Sequence, residues 1–243
     1  MREELGALLQ RMPDERKQLH ARREFWLGHL AGQEVVVVLS HIGKVAAATT
    51  ATLLLDRFGA SQLLFTGVAG GIGDQVRVGD VVVADALLQH DMDASPIFPR
   101  HEVPLYGCSR FKTDAEMTRR LEEASGAVLT AAAGHLGPEV VEAFGIKQPN
   151  RHTGLVISGD RFVSTAAESA ALHSELPEAL AVEMEGAAVA QVCFDAGVPF
   201  AVLRVISDRA DDQAHVDFTA FIRQVASRYA EAIVLRYLVR LHE

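Results

Sequence analysis

The residues best suited to chemistry lie in the C-terminal third. There Val182-Glu183-Met184-Glu185-Gly186-Ala187-Ala188 is followed by Arg204-Val205-Ile206-Ser207-Asp208-Arg209-Ala210-Asp211. Each segment places acids at the end of an apolar run. Ala179 to Met184 reads as a short buried strand passing into a small-residue helix, Gly186 to Cys193. Val198 to Ile206 reads as a second strand that ends at Ser207-Asp208. In an open parallel sheet ligands bind beyond the strand ends, so Glu183, Glu185 and Asp208 become carboxylates directed at one crevice. Burying a carboxylate without a partner is costly, which makes such a cluster a functional candidate. Solvated turn residues or helix caps would satisfy the same spacing.

The elements that must position these acids alternate along the chain. Glu34 to Ser40 holds Val-Val-Val-Val-Leu, a β-branched run suited to a strand buried on both faces. Gly43 to Phe58 reads as a helix stopped by Gly59. Ser61 to Thr66 is a short strand emptying into the glycine-rich turn Gly67-Val68-Ala69-Gly70-Gly71, and Val76 to Ala86 is a strand interrupted at Gly79-Asp80. Pro96, Pro99 and Pro104 make His90 to Tyr106 an irregular excursion. Helices are expected over Thr113 to Ala124, Ala166 to Leu176 and from Asp217 onward, with a strand at Thr153 to Ser158 and an elaborated connection from Gly134 to Asn150. Strands alternating with helices indicate an α/β fold, a mixed, mostly parallel sheet between helical layers. No linker divides it, so one domain over 1–243 is expected. Glu3 to Arg11 is helix-like where a doubly wound fold opens on a strand, so the first strand is expected to be absent.

Composition narrows the partners. The chain has 243 residues, 49% hydrophobic, with a formal net charge of −9. An acidic balance argues against nucleic acid, and no apolar run is long enough to span a bilayer. A soluble cytoplasmic protein is expected. The basic run Arg16 to Arg23 is flanked by Glu15 and Glu24 and reads as an exposed mixed-charge face. Cys108 and Cys193 belong to no metal or disulfide pattern, and Cys193 reads as a core thiol. His90-Asp91-Met92-Asp93 lacks a further ligand at metal spacing, so His90 is expected to be a hydrogen-bonded strand-end histidine.

In order along the chain, Phe65-Thr66-Gly67-Val68-Ala69-Gly70-Gly71, Val78-Gly79-Asp80-Val81-Val82-Val83, Ser158-Gly159-Asp160-Arg161-Phe162, Val182-Glu183-Met184-Glu185 and Ile206-Ser207-Asp208 resemble the bacterial 5'-methylthioadenosine/S-adenosylhomocysteine nucleosidases of the nucleoside phosphorylase superfamily. The ordered set is specific where any one glycine-rich segment is not. The resemblance implies a purine nucleoside phosphorylase-like three-layer fold and hydrolysis of the N-glycosidic bond of an adenine nucleoside. It also implies a homodimer without metal or organic cofactor.

The chemistry accounts for the residue types, because a purine leaves ribose more readily when protonated and when the sugar can carry oxocarbenium character. The resemblance makes Asp208 the acid toward purine N7, oriented by Ser207, with a pKa that burial would have to raise. It sets Glu185 at the ribose hydroxyls, Met184 against the sugar, and Glu4 at the attacking water. An ordinary first-turn acid would also suit Glu4. Phe162 and Val163 match the adenine-holding pair, and Val68, Ala69, Gly70 and Glu183 fall on substrate-binding segments. Ile42 and Phe218 match the pocket for the 5' alkylthio group, and either would serve equally as core. Arg204 supports the site or forms a buried ion pair with one of the acids. His215 closes over the site or flanks the final helix.

Val68 departs from the family's usual serine, and Met92 to Val103 departs from its usual loop, so the resemblance does not rank methylthioadenosine, adenosylhomocysteine, 5'-deoxyadenosine and futalosine. A purine nucleoside phosphorylase would need converging cations for phosphate, and sequence order offers Lys44 and Arg100 only. A futalosine hydrolase and a non-catalytic nucleoside-binding protein would each fit the same scaffold.

Overall fold

A computed structural model describes residues 2–210 and 218–242. The first element is helix α1 (Arg2–Leu9), and a small antiparallel meander follows: β1 (Arg16–His20), β2 (Arg23–Leu30) and β3 (Gln33–Val38). The basic run therefore forms β1 and its hairpin. It is exposed and mixed in charge as expected, with Lys17 Nζ donating to Glu24 Oε1 at 2.9 Å. Its charged residues carry no strand signal, so β1 is not legible in the sequence.

The central sheet holds β4 (Leu63–Gly71), β5 (Val81–Gln89), β6 (Arg110–Lys112), β7 (Arg151–Ser158), β8 (Ala179–Glu183) and β9 (Phe200–Asp208), in the order β6-β5-β7-β8-β4-β9. Its long ladders, β4 with β9 and β5 with β7, are parallel, and the short ones of β5 with β6 and β4 with β8 are antiparallel. The mixed α/β architecture is the one expected, with one addition: β5 also pairs with β9 through Val81–Val83, closing β5-β7-β8-β4-β9 on itself and leaving β6 outside. A register shift between Ala84 and Ala86 bends β5 enough to serve both neighbours.

The helices are α2 (Lys44–Phe58), α3 (Ala115–Thr130), α4 (Ala132–Leu136), α5 (Pro138–Ala143), α6 (Ala166–Glu175), α7 (Gly186–Ala196), α8 (Phe218–Phe221) and α9 (Ser227–Val239). The final helix is not continuous, because Ile222–Ala226 between α8 and α9 is a π-helical segment.

Sheet residues alternate between two cores. Val81, Val83, Ala201, Leu203 and Val205 pack toward α3 and α9, while Val82, Ala84, Phe200, Val202 and Ile206 pack with residues of α2 and α7. Cys193 lies fully buried in the second core, and burial pushes its thiol up to about 12.

Two expectations are corrected. Gly67 to Gly71 is not a turn: it continues β4, paired with β9 as far as Gly70 and with β8 at Gly70 and Gly71. Val76 to Gly79 is not strand, since Asp80 organises a turn there, accepting from Arg77 N at 2.9 Å, Asn150 N at 2.7 Å and His152 Nε2 at 2.9 Å. The strand expected to be buried on both faces at Glu34 to Ser40 is corrected too: β3 lies in the small sheet, and its four valines are only half-buried. A groove of about 470 Å³, lined by β3, by Leu63–Thr66 of β4 and by Leu5 and Leu8 of α1, separates the small sheet from the central one.

Candidate active site

The ends of β4, β8 and β9 open into a cavity of about 790 Å³ that also receives the start of α1, the turn before α2, and Phe218. Of the residues singled out in the sequence, Glu4, Ile42, Val68, Ala69, Gly70, Phe162, Val163, Glu183, Met184, Glu185, Ser207, Asp208 and Phe218 line it. The acids therefore converge from three elements as far apart in sequence as positions 4 and 208. His215 and Asp211 lie outside the described residues.

The last residue of β9, Asp208, is buried. Its Oδ1 accepts from Ala210 N at 2.8 Å, and its Oδ2 from Ser207 Oγ at 2.7 Å. Gly70 makes the close approach of β4 possible. A Cβ there would stand 2.9 Å from Asp208 Oδ1 and 2.8 Å from Ala210 Cβ. The glycine thus lets the carboxyl lie flat against β4.

Glu183 and Glu185 have different surroundings although they are two residues apart. Both oxygens of Glu183 are occupied by protein donors. Arg204 Nη2 donates to Oε2 at 2.7 Å, Glu185 N to Oε2 at 3.1 Å and Gly186 N to both oxygens, while Ser158 Oγ donates to Oε1. Ser158 Oγ also accepts from Ala187 N at 2.8 Å. Together these groups satisfy the first amides of α7, where a negative charge is favoured by the helix N-terminus. Of the two readings of Arg204, the buried ion pair is the one observed, with Arg204 only 1% exposed and stacked 4.2 Å from the Phe65 ring centroid. A Cβ at Gly67 would meet Arg204 Nη1 at 3.4 Å, so that glycine leaves room for the guanidinium.

The Glu185 carboxylate accepts from Gly43 N at 3.0 Å. Burial and the neighbouring Glu183 charge raise its pKa above the usual glutamate value, opposed by the Gly43 amide and by Arg204. A carboxylate with this environment gains from any cationic charge that appears nearby.

Glu4 is 5% exposed on α1. Phe162 is 46% exposed, with its ring meeting Phe218 edge-on at a centroid distance of 6.4 Å. Val163 beneath it is buried, whereas Ile42 is exposed.

His90 differs from expectation. Its backbone amide bonds Ser158 O at 3.0 Å, but its ring is buried against Gly159 and Nε2 has no hydrogen-bond partner among the described residues. Desolvation lowers its pKa. Among the described residues no group of histidine, cysteine and acidic side chains is arranged to hold a metal, and no helix is long and apolar enough to cross a membrane.

Sequence reasoning missed Ser158, Gly43 and the pair Lys44–Asp91. Ser158 was legible only as part of Ser158-Gly159-Asp160-Arg161-Phe162, because its partners lie on β8 and α7.

The sequence matches the phosphorylase superfamily over residues 1–239. It is 32% identical over 234 residues to a 5'-methylthioadenosine/S-adenosylhomocysteine nucleosidase of Shewanella denitrificans, covering 96% of this chain and 94% of the relative. The enzyme of the same name from Geobacillus thermodenitrificans is 34% identical over 237 residues, covering 96% and 92%. Among solved structures, the nucleosidase of S. pneumoniae with a transition-state inhibitor superposes with a TM-score of 0.84 at 33% identity, covering 99% of this chain and 96% of that one. A futalosine hydrolase mutant of Helicobacter pylori superposes with a TM-score of 0.82 at 32% identity, covering 97% and 94%. With the superfamily match spanning nearly the whole chain and relatives of one name above 30% identity, this chain belongs to the phosphorylase superfamily, among its 5'-methylthioadenosine/S-adenosylhomocysteine nucleosidases.

Proposed function

We propose that this protein hydrolyses the N-glycosidic bond of 5'-methylthioadenosine and S-adenosylhomocysteine, releasing adenine and the 5-thioribose sugar. The observation that carries the reading is the convergence of Glu4, Glu185 and Asp208 on one cavity, where Glu183 is engaged by Arg204 and the α7 amides.

Adenine stacks beside Phe162 over Val163, with its N7 toward Asp208. The Asp208 carboxyl gives its proton to N7, so the base leaves as neutral adenine when the C1'–N9 bond breaks. Positive charge develops at C1' and the ring oxygen, and Glu185, at the ribose hydroxyls, stabilises it. Water held by Glu4 adds its oxygen to C1' and yields its proton to the Glu4 carboxylate. Met184 packs on the sugar, and Ile42 and Phe218 border the 5' alkylthio group, whose apolar chemistry they match. Active molecules are homodimers.

Hydrolysis is favoured over phosphorolysis by the fate of the nearby cations. Lys44 pairs with Asp91, and Arg100 with Asp93 and Glu175, and neither lines the cavity. Of the cations that line the cavity, Arg204 is held by Glu183 and Arg161 pairs with Glu168, which leaves Arg2 at the start of α1. A phosphate dianion would need several such groups converging and unengaged.

Asp208→Asn tests the reading. It keeps the side chain's size and removes the acid, so turnover should fall by about a thousandfold or more, the general acid being worth roughly 10²–10⁴. Nucleoside affinity by calorimetry should stay within a few fold. Turnover near that of the unaltered protein would remove Asp208 from the role.

A further inference from the structure

Three charged residues close a ring beside the cavity without lining it. Lys44 N donates to Asp160 Oδ1 at 2.7 Å, Asp160 N donates to Asp91 Oδ2 at 2.9 Å, and Lys44 Nζ returns to Asp91 Oδ1 at 2.6 Å. Each belongs to a segment that touches the site or braces it. Lys44 follows Ile42 and Gly43, and the Gly43 amide is the one that holds Glu185. Asp160 begins the segment leading to Phe162 and Val163. Asp91 lies just beyond the end of β5, next to His90, whose amide bonds Ser158 O.

The ring is anchored on the sheet side as well. Lys44 Nζ also donates to Gln89 Oε1 at 3.0 Å, and Gln89 Nε2 donates to Gln191 Oε1 of α7 at 2.8 Å. The Lys44 side chain is 16% exposed and that of Asp91 32%, so the pair is screened less than a surface ion pair. Val163 anchors one end of its segment in the core, but the residues nearer the site pack little. Ile42 is 67% exposed and Phe162 46%. Gly43 has φ +94, and a Cβ there would stand 3.1 Å from Asp160 Oδ1, so the corner is built to bring the two segments together.

We propose that Lys44, Asp91 and Asp160 are positioning residues: their ring holds the Ile42–Gly43 corner against Glu185 and the Asp160–Val163 segment over the base, so that nucleoside binding depends on an ion pair that touches no substrate. The choice of ligand rests on the nucleosidase reading, whereas the ring itself does not. Removing the pair frees both segments, and binding then carries the cost of ordering them.

The test uses Asp91→Asn and Lys44→Met in the full chain. KM for methylthioadenosine should rise about tenfold while kcat falls less than about threefold, a split that signals lost ground-state binding. The double variant should be no worse than the poorer single one, because the second substitution has no pair left to break. Lys44→Arg should recover part of the loss. A readout independent of nucleoside chemistry is trypsin cleavage after Arg161, followed by mass spectrometry, which should accelerate about tenfold in Asp91→Asn if the segment is released.

Unchanged KM with unchanged Arg161 cleavage overturns the proposal. So does a fall in kcat at constant KM accompanied by a lower Tm, the mark of a general structural loss. If the unaltered protein splits no nucleoside, the nucleosidase reading fails, and the Arg161 cleavage rate alone then decides for or against the ring.

Discussion

Replacing Glu183 by glutamine removes one charge from a pair that is almost completely enclosed, the two side chains being 1% and 3% exposed. In the native protein the carboxylate receives both Arg204 nitrogens on one edge, at 2.7 and 3.3 Å, and the amides of Glu185 and Gly186 at its tip. A glutamine presents one oxygen and one NH2 group. Whichever way it turns, a donor faces either the guanidinium or the α7 amides. Arg204 is left with Leu203 O at 3.0 Å and the Phe65 ring as its remaining partners. Breaking a buried pair by removing one partner typically costs about 3–5 kcal/mol, against about 1 kcal/mol for an exposed one. For a chain of this size that corresponds to a fall in Tm of roughly 6–20 °C. Urea unfolding of Glu183→Gln beside Glu183→Gln/Arg204→Met would measure it. The double variant removes both charges and should recover part of the loss, because no uncompensated guanidinium is left buried. A single-variant loss below about 1 kcal/mol, or a double variant less stable than the sum of the singles, would refute the assignment of Glu183 as the buttress of the Glu185 turn.

Other consequences are open to measurement. Glu185 has a folded pKa raised by burial and by Glu183, so its contribution to stability is fully present below the unfolded value and is lost as pH rises through the folded one. Glu185→Gln should therefore be more stable than the unaltered protein at neutral pH, by about 1 kcal/mol, with the gain vanishing under acid conditions below the ordinary glutamate pKa. Equal stability curves across that pH range in denaturant titrations would contradict the assigned environment. Gly70→Ala forces a methyl group to 2.9 Å from Asp208 Oδ1 and should lower turnover roughly tenfold to a hundredfold for about 1–3 kcal/mol of stability. Unchanged turnover would show that the carboxyl does not need to lie against β4. Native protein should expose one cysteine to a thiol reagent near pH 8, Cys108, since the Cys193 thiol is fully buried and pushed up to about 12. Two reacting thiols before denaturation would contradict the core placement.

The parts of the fold that the sequence makes legible are those whose signal is local. Four consecutive valines mark β3, Gly59 ends α2 in the left-handed conformation, and the apolar run into Ser207-Asp208 marks β9. β1 escapes because Arg16-Lys17-Gln18-Leu19-His20 is stabilised by pairing with β2 and not by apolar burial. The glycines at 67, 70 and 71 suggest a turn, but their use is tertiary: Gly67 makes room for Arg204, Gly70 for Asp208 and Ala210, and Gly71 for Ile206. The bend that lets β5 reach β9 has no composition signature. For the site, the acids are visible at strand ends, yet which acid is engaged internally is not. Glu183 and Glu185 differ by the presence of Arg204 and Ser158 beside one of them, a fact of register between β7, β8 and β9.

Incubating the protein with methylthioadenosine in the presence and absence of phosphate, following adenine and identifying the sugar, separates hydrolysis from phosphorolysis. Hydrolysis gives adenine at a rate independent of phosphate and free 5-methylthioribose as the second product. A phosphate-dependent rate yielding a sugar 1-phosphate would contradict it.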